Sequence, residues 1–151
     1  MRYFKKKRYI ISARRAPIDT QFYNKLEDCT YTVEHEDDVV LTGTVGEVWL
    51  ISGPKFQRTY ALPDGREISP YALGPYNVAV TPKKSDTLYE ATLMPISEGP
   101  FSVQTSDGYY LHGNRPEVPH GRGDYIVSEK GHPEAQWVVN GKVFENTYEE
   151  V

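Results

Sequence analysis

Chemistry in a chain of this size needs a nucleophile with its base, a cluster of metal ligands, a phosphate loop or a dense recognition surface. Cys29 is the only cysteine among 151 residues, so intramolecular disulfides and thiolate zinc sites are excluded. No Gly-x-Ser-x-Gly elbow is present, and Cys29 reads as a buried small hydrophobe. His35, His112, His120 and His132 lack the i, i+4 spacing by which a helix presents two imidazoles to a metal. No metal and no cofactor is therefore predicted. Gly43-Thr44-Val45-Gly46 is too short for a phosphate loop and lacks its lysine; it reads as a turn between strands. Arg122-Gly123-Asp124 spells a cell-attachment tripeptide, but Asp124 stands at the head of a strand and reads as structural.

The richest stretch is a loop, 106–123, bounded by Asp107-Gly108 and by the Gly/Pro-rich residues 113–123. Tyrosine and arginine are enriched at recognition surfaces, and long loops on a rigid scaffold often carry function. Tyr109, Tyr110, His112, Arg115, His120 and Arg122 are the predicted binding residues, with Asn114 among them; no catalytic residue is assigned. Two functions compete for this loop. One is a non-catalytic binding module that holds a protein partner or small ligand through the loop and a groove between two halves of the chain. The other is a small enzyme acting on a nucleotide-derived substrate, with His112 or His120 as general acid/base and Asp124 as its orienting partner.

Charge offers a third reading. Residues 1–18 hold seven cations (Arg2, Lys5, Lys6, Lys7, Arg8, Arg14 and Arg15) and no acid, whereas the whole chain carries −4. A basic segment can bind nucleic acid by counterion release. With a pI near 5.6 and the acidic cluster Glu34, Glu36, Asp37 and Asp38, docking of this segment against the acidic remainder is favoured over nucleic-acid binding. Only Tyr9–Ser12 separate the basic runs, too few for the roughly 7–15 apolar residues of a secretory signal. No apolar run is long enough to span a bilayer, so a cytoplasmic location with no membrane contact is expected. Nineteen aromatics, 12 of them Tyr, argue against disorder.

The elements that must position the loop are written twice. Asp38-Val-Val-Leu leads to Trp49, Ser52-Gly53, Phe56 and Thr59-Tyr60, while Asp124-Tyr-Ile-Val leads to Trp137, Asn140-Gly141, Phe144 and Thr147-Tyr148. Both tryptophans of the chain fall in this match, and a recurrent pattern of this kind marks a repeated structural unit. A weaker match relates Tyr9–Arg15 and Asp19-Thr20 to Tyr76–Pro82 and Asp86-Thr87, which places 19–21 extra residues in the second copy, near 101–123. Residues 8–13, 30–33, 39–41, 47–51 and 76–81 read as strands, with the acidic stretch 34–38 as a turn. Asp19 and Asp86 suit N-caps of short helices over 20–28 and 87–93. Ser52 and Asn140 suit caps of helical turns at 54–60 and 142–149, with Phe and Tyr packed inward. The expected fold is α+β and β-rich: a strand–helix–strands–short-helix unit in two tandem copies, 8–62 and 76–151. With 63–75 as the joining segment, they form one pseudo-two-fold domain over 1–151.

The two ends of the chain resemble a family of small uncharacterised phage and prophage proteins. These begin with a Tyr-x-Lys-Lys stretch and end on a Pro-Gly-Asp-Tyr-Ile-Val type strand followed by Phe-x-x-Thr-Tyr-Glu. Here the start is Tyr3-Phe4-Lys5-Lys6, and the end is Gly123-Asp124-Tyr125-Ile126-Val127 with Phe144-Glu145-Asn146-Thr147-Tyr148-Glu149. Arg122 stands where proline is usual. The resemblance covers the last ~28 residues well and the first ~13 loosely. It implies a phage or bacterial cytoplasmic origin and a small β-rich fold, and it carries no assigned activity.

Overall fold

The computed structural model describes residues 2–106 and 108–151; Asp107, the first residue of the expected Asp-Gly turn, lies outside the described residues. The chain is β-rich with two short helices. In order it runs through β1 (Tyr3–Lys6), β2 (Ile11–Arg14), β3 (Gln21–Asn24), β4 (Cys29–Thr32), β5 (Val39–Thr42), β6 (Val48–Ile51), α1 (Gly53–Thr59) and β7 (Tyr60–Ala61). There follow β8 (Val78–Pro82), β9 (Tyr89–Leu93), β10 (Phe101–Gln104), β11 (Tyr110–Gly113), β12 (Tyr125–Glu129), β13 (Gln136–Val139), α2 (Gly141–Thr147) and β14 (Tyr148–Glu150). Two compact units result. The N-terminal unit comprises Arg8–Asn24 and Thr30–Lys84; the C-terminal unit comprises Met1–Lys7, Lys25–Cys29 and Ser85–Val151.

The N-terminal unit is built on a five-stranded antiparallel sheet, ordered β6-β5-β2-β8-β7. Strand side chains alternate between faces, and here Ile11, Ala13, Val39, Leu41 and Val80 turn to one buried cluster with Phe56, Tyr60 and Leu73. Trp49 and Ile51 pack against that cluster from β6, opposite Leu41 and Val39 in the ladder. Helix α1 forms where the sequence supplies a cap and a proline in its first turn. The Ser52 hydroxyl accepts from Lys55 N, and Tyr60 leaves the helix in extended conformation. Gly53 is required there, because a Cβ would stand 2.8 Å from the Asp37 carbonyl oxygen. The helix therefore delivers Phe56, fully buried, onto the sheet.

The C-terminal unit has its own five-stranded antiparallel sheet, ordered β13-β12-β9-β1-β14. Asn140 caps α2 by accepting from Lys142 N at 2.9 Å and Val143 N at 3.3 Å. The helix sets Phe144 between Tyr125 and Tyr148, stacked at 3.8 Å and 4.8 Å, with Phe4 edge-on at 5.0 Å. Offset and edge-on aromatic pairs of this kind contribute about 0.5–1.5 kcal/mol each beyond area burial. Trp137 and Tyr89 complete the cluster. Two two-stranded sheets, β3-β4 and the antiparallel β10-β11, are hydrogen-bonded separately from the five-stranded sheets.

The helical turns, their caps and the inward Phe/Tyr pairs agree with expectation, as do the strands at 30–33, 39–41, 47–51 and 76–81. The helices expected over 20–28 and 87–93 do not form. Gln21–Asn24 is a ribbon strand, and Asp19 has φ 73°, which no helix cap adopts. Tyr89–Leu93 pairs on both sides, with β12 and β1. A segment with partners at both edges gains ladder hydrogen bonds and burial that outweigh a local preference for helix.

Removing the Phe144 ring empties the centre of a three-ring stack. Phe144→Ala is expected to cost roughly 3–5 kcal/mol, the usual range for truncating a buried aromatic. Urea denaturation followed by far-UV circular dichroism measures it.

Candidate functional site

The predicted binding loop divides into a ribbon and a pinned connection. In the ribbon β10-β11, Val103 and Leu111 are buried, while Ser102, Gln104, Tyr110 and His112 occupy the opposite, outward face. Period-two alternation fixes this, because Ser102 lies across from His112 and Gln104 from Tyr110. Tyr110 is 58% exposed. The Ser102 hydroxyl and His112 Nδ1 are hydrogen-bonded at 2.7 Å. Tyr109 sits in the turn, half-buried, with its carbonyl accepting from Thr105 N at 2.7 Å. Ser102 has no sequence signal; only strand pairing reveals it.

Beyond the ribbon, residues 114–124 wrap around one carboxylate. Asp124 is 1% exposed. One of its oxygens accepts from Asn114 N at 2.9 Å and the other from Gly141 N at 2.8 Å. Asn114 closes the reciprocal bond, its Oδ1 accepting from Asp124 N at 2.8 Å, and its Nδ2 donates to Met94 O at 2.9 Å. Asn114 holds φ 54°, a left-handed conformation that asparagine tolerates better than most residues. Asn140 Nδ2 ties the same loop down by donating to Pro119 O at 2.9 Å. Burial pushes the Asp124 carboxyl above its ordinary value, opposed by the N–H groups of Asn114 and Gly141 and by the charge of His120. Both carboxylate oxygens are thus occupied by backbone N–H groups, as a strand-head structural role requires.

The remaining predicted residues fall around this frame. Arg115 donates to the Lys25 carbonyl and forms ion pairs with Glu117 at 3.6 Å and Asp28 at 3.9 Å, which fixes the segment Lys25–Cys29. His112 N donates to Glu27 O at 2.8 Å in the same contact. His120 accepts from Gly123 N through its carbonyl, and its Nδ1 is buried without a partner among the described residues. Arg122 is exposed. The ribbon therefore brings Tyr110 and His112 together on one face, Arg115 is a fastener, and His120 lies with the Asp124 frame.

The basic N-terminal segment is engaged throughout. Arg2 pairs with Glu150 at 2.8 Å, Lys5 with Glu149 at 3.5 Å, and Lys7 donates to Glu145 O at 2.9 Å. Lys6 lies over the Tyr89 ring, Arg14 over Phe22, and Arg8 and Arg15 donate to the carbonyls of Pro63 and Leu73. Cys29 is a buried free thiol. No group of three or more His, Cys, Asp or Glu among the described residues is placed to hold a metal ion. No helix among them is long and apolar enough to cross a membrane.

One perturbed carboxyl has no counterpart in the sequence reading. Glu47, 9% exposed, leads into β6 with its carboxyl over Gly43, where an added Cβ would collide with it. Its two oxygens are buried. Burial raises its pKa to about 7, with the N–H groups of Val45 and Glu47 opposing the shift. Comparisons with protein-family models, with curated proteins and with solved structures find no match.

Two outcomes follow from these carboxyls. Asp124→Ala strips the acceptors from two buried N–H groups and is expected to cost roughly 2–3 kcal/mol, the scale of a hydrogen bond to a charged group. Amide exchange at residues 113–123 should accelerate with it. Neutral Glu47 is favoured by the folded state, so its contribution is complete below the ordinary carboxyl value of 4.5 and is lost as pH rises to about 7. The loss is on the order of 3 kcal/mol. Urea midpoints of the wild type should fall across this window more than those of Glu47→Gln.

Proposed function

We propose that the protein is a non-catalytic binding module of phage or prophage type, and that it is one unit written twice. The duplication is supported by the ladders of the two sheets. Leu41 stands between Ala13 and Trp49, and Val127 stands between Ala91 and Trp137. Ile11 pairs with Val80, and Tyr89 with Phe4. Tyr60 pairs with Pro82, and Tyr148 with Lys6. Even Lys83 N to Thr59 O and Lys7 N to Thr147 O recur at 2.8 Å. By these registers β1 corresponds to β8 and β2 to β9, so each copy lends its first strand to the other copy's sheet. The Tyr9–Arg15 and Tyr76–Pro82 stretches are then neighbours in one sheet, not equivalents. Their apparent likeness is shared strand character, and with it goes the estimate of 19–21 extra residues.

In this reading the copies differ most where the binding loop lies. Eleven residues, 114–124, link Gly113 to Tyr125, against six, 33–38, between Thr32 and Val39. The observation that carries the function is the contrast inside that loop. Asp124, Asn114, Asn140 and Arg115 hold its main chain, while Tyr110 and Arg122 project into solvent. A rigid support with an exposed tyrosine and arginine reduces the ordering cost of association and offers the residue types that dominate interfaces. The acid/base alternative is less well supported, because Asp124 already gives both oxygens to N–H groups.

The test is a partner captured on the immobilised protein from a lysate of the cells that express it. Tyr110→Ser combined with Arg122→Ser is expected to weaken retention at least tenfold while leaving the thermal midpoint unchanged. Undiminished retention by the double variant would remove this face as the binding site.

A further inference from the structure

The connection between β5 and β6 holds a carboxyl where strand alternation calls for an apolar side chain. Residues two apart in a strand share a face. Leu41 and Trp49 stand opposite one another in the ladder and turn to the core of the N-terminal unit. The next positions on that face are Gly43 and Glu47. Gly43 N donates to Glu47 O at 2.8 Å, which carries the pairing through to them, and Gly46 N donates to Gly43 O at 3.2 Å across the turn. An added Cβ on Gly43 would collide with the Glu47 carboxyl and stand 3.0 Å from the Trp49 ring. The carboxyl thus takes the space of the missing side chain, at the end of an apolar row.

A carboxyl in such a seat is tolerated when neutral and costly when ionised. Among the described residues no charged group acts on its titration. β5, the turn of residues 43–46 and β6 carry no other ionisable side chain. The core cluster adds only the phenols of Tyr9 and Tyr60, and β3, which packs on β6, adds that of Tyr23. Phenols stay neutral throughout the range in which carboxyls titrate. Helix α1 turns Lys55 and Arg58 to solvent.

The same segment is free to move. A glycine stands at each end of the turn, Gly46 with φ 84°, and Val45 between them is 47% exposed. β6 is an edge strand, so lifting its first residues forfeits ladder bonds to one neighbour alone. Segments of this kind open at the lowest cost in a fold.

We propose that residues 43–47 form a pH-operated latch: with Glu47 neutral the turn lies closed beside Trp49, and ionisation draws the carboxyl into water and lifts the turn from the core. Burial raises the Glu47 pKa to about 7 while the turn is closed, against the N–H groups of Val45 and Glu47. In the open form the carboxyl regains its ordinary value of 4.5. Opening therefore releases a proton and is favoured as pH rises. The opening constant climbs about tenfold per pH unit between those two values and levels off above them.

Hydrogen exchange of the 15N-labelled full chain between about pH 4.5 and 8.5 tests the latch. After correction for intrinsic rates, opening constants at the Gly43 and Gly46 amides should rise roughly 300-fold by pH 7 and then hold. They should exceed those of Ala13 and Val40, on the interior strands β2 and β5, at every pH. Glu47→Gln should keep them within about threefold across the range. Gly43→Ala puts a methyl in the carboxyl's place, and its Gly46 amide should open at low pH about as often as the wild type's does near pH 8. A flat wild-type profile, a rise that survives in Glu47→Gln, or turn amides that open no more often than Ala13 and Val40 would each overturn the latch. Should Gly43→Ala fail to fold, the comparison with Glu47→Gln decides alone.

Discussion

The structure depends on backbone pairing of two interior strands, one of which, β1, completes a sheet that the strand following it in the chain does not join. β1 lies between β9 and β14, and β8 lies between β2 and β7. An interior strand satisfies hydrogen-bond donors and acceptors along both edges, so its loss would expose two unpaired edges at once and open the core beneath. Phe4 on β1 and Val80 on β8 each turn into the buried cluster of the sheet they join. The N-terminal segment is therefore a core element of the C-terminal unit, and its cations are the solvent-side companions of a strand. Their partners, Glu149 and Glu150, lie on the adjacent strand β14. Cross-strand pairs of opposite charge support such a ladder modestly; in the exposed setting found here each is worth little by itself.

On this frame the two units differ in their connections. Each unit has a five-stranded sheet, a capped helix and a buried Phe/Tyr pair, and a shift of one residue in a strand would turn its inward side chains outward. The connections are freer. In the C-terminal unit the long connection is organised around the buried Asp124, with Asn114 and Asn140 as its lieutenants. In the N-terminal unit the shorter acidic turn is organised by Asp38, whose carboxylate accepts from Glu34 N at 3.0 Å and His35 N at 2.9 Å. A buried aspartate thus anchors a short turn in one unit and a long loop in the other.

Much of this was legible in the residues. Ser52 and Asn140 before Gly, with Phe and Tyr following at fixed spacing, are local signals, and both helices formed where those signals stand. β5 and β6 stand where residues 39–41 and 47–51 read as strands, and β12 begins after Asp124 at the expected strand head. The helices expected after Asp19 and Asp86 failed because a run without Gly or Pro is compatible with either state, and pairing partners decided between them. Tyr9–Arg15 and Tyr76–Pro82 resemble one another as strand sequences do, and β2 and β8 within them are paired neighbours of one sheet.

The sequence by itself determined the local units: caps, turns, strand alternation, and the Trp, Phe and Tyr that fill each core. These are interactions among residues close in the chain, and side-chain chemistry is enough to specify them. Only the tertiary structure decided which strands complete which sheet, that Asp124 is a buried anchor, that Arg115 is a fastener, and that Ser102 meets His112. Each of those outcomes joins residues distant in sequence through backbone hydrogen bonds, and a backbone donor or acceptor is the same at nearly every position, so residue identity carries no record of its partner.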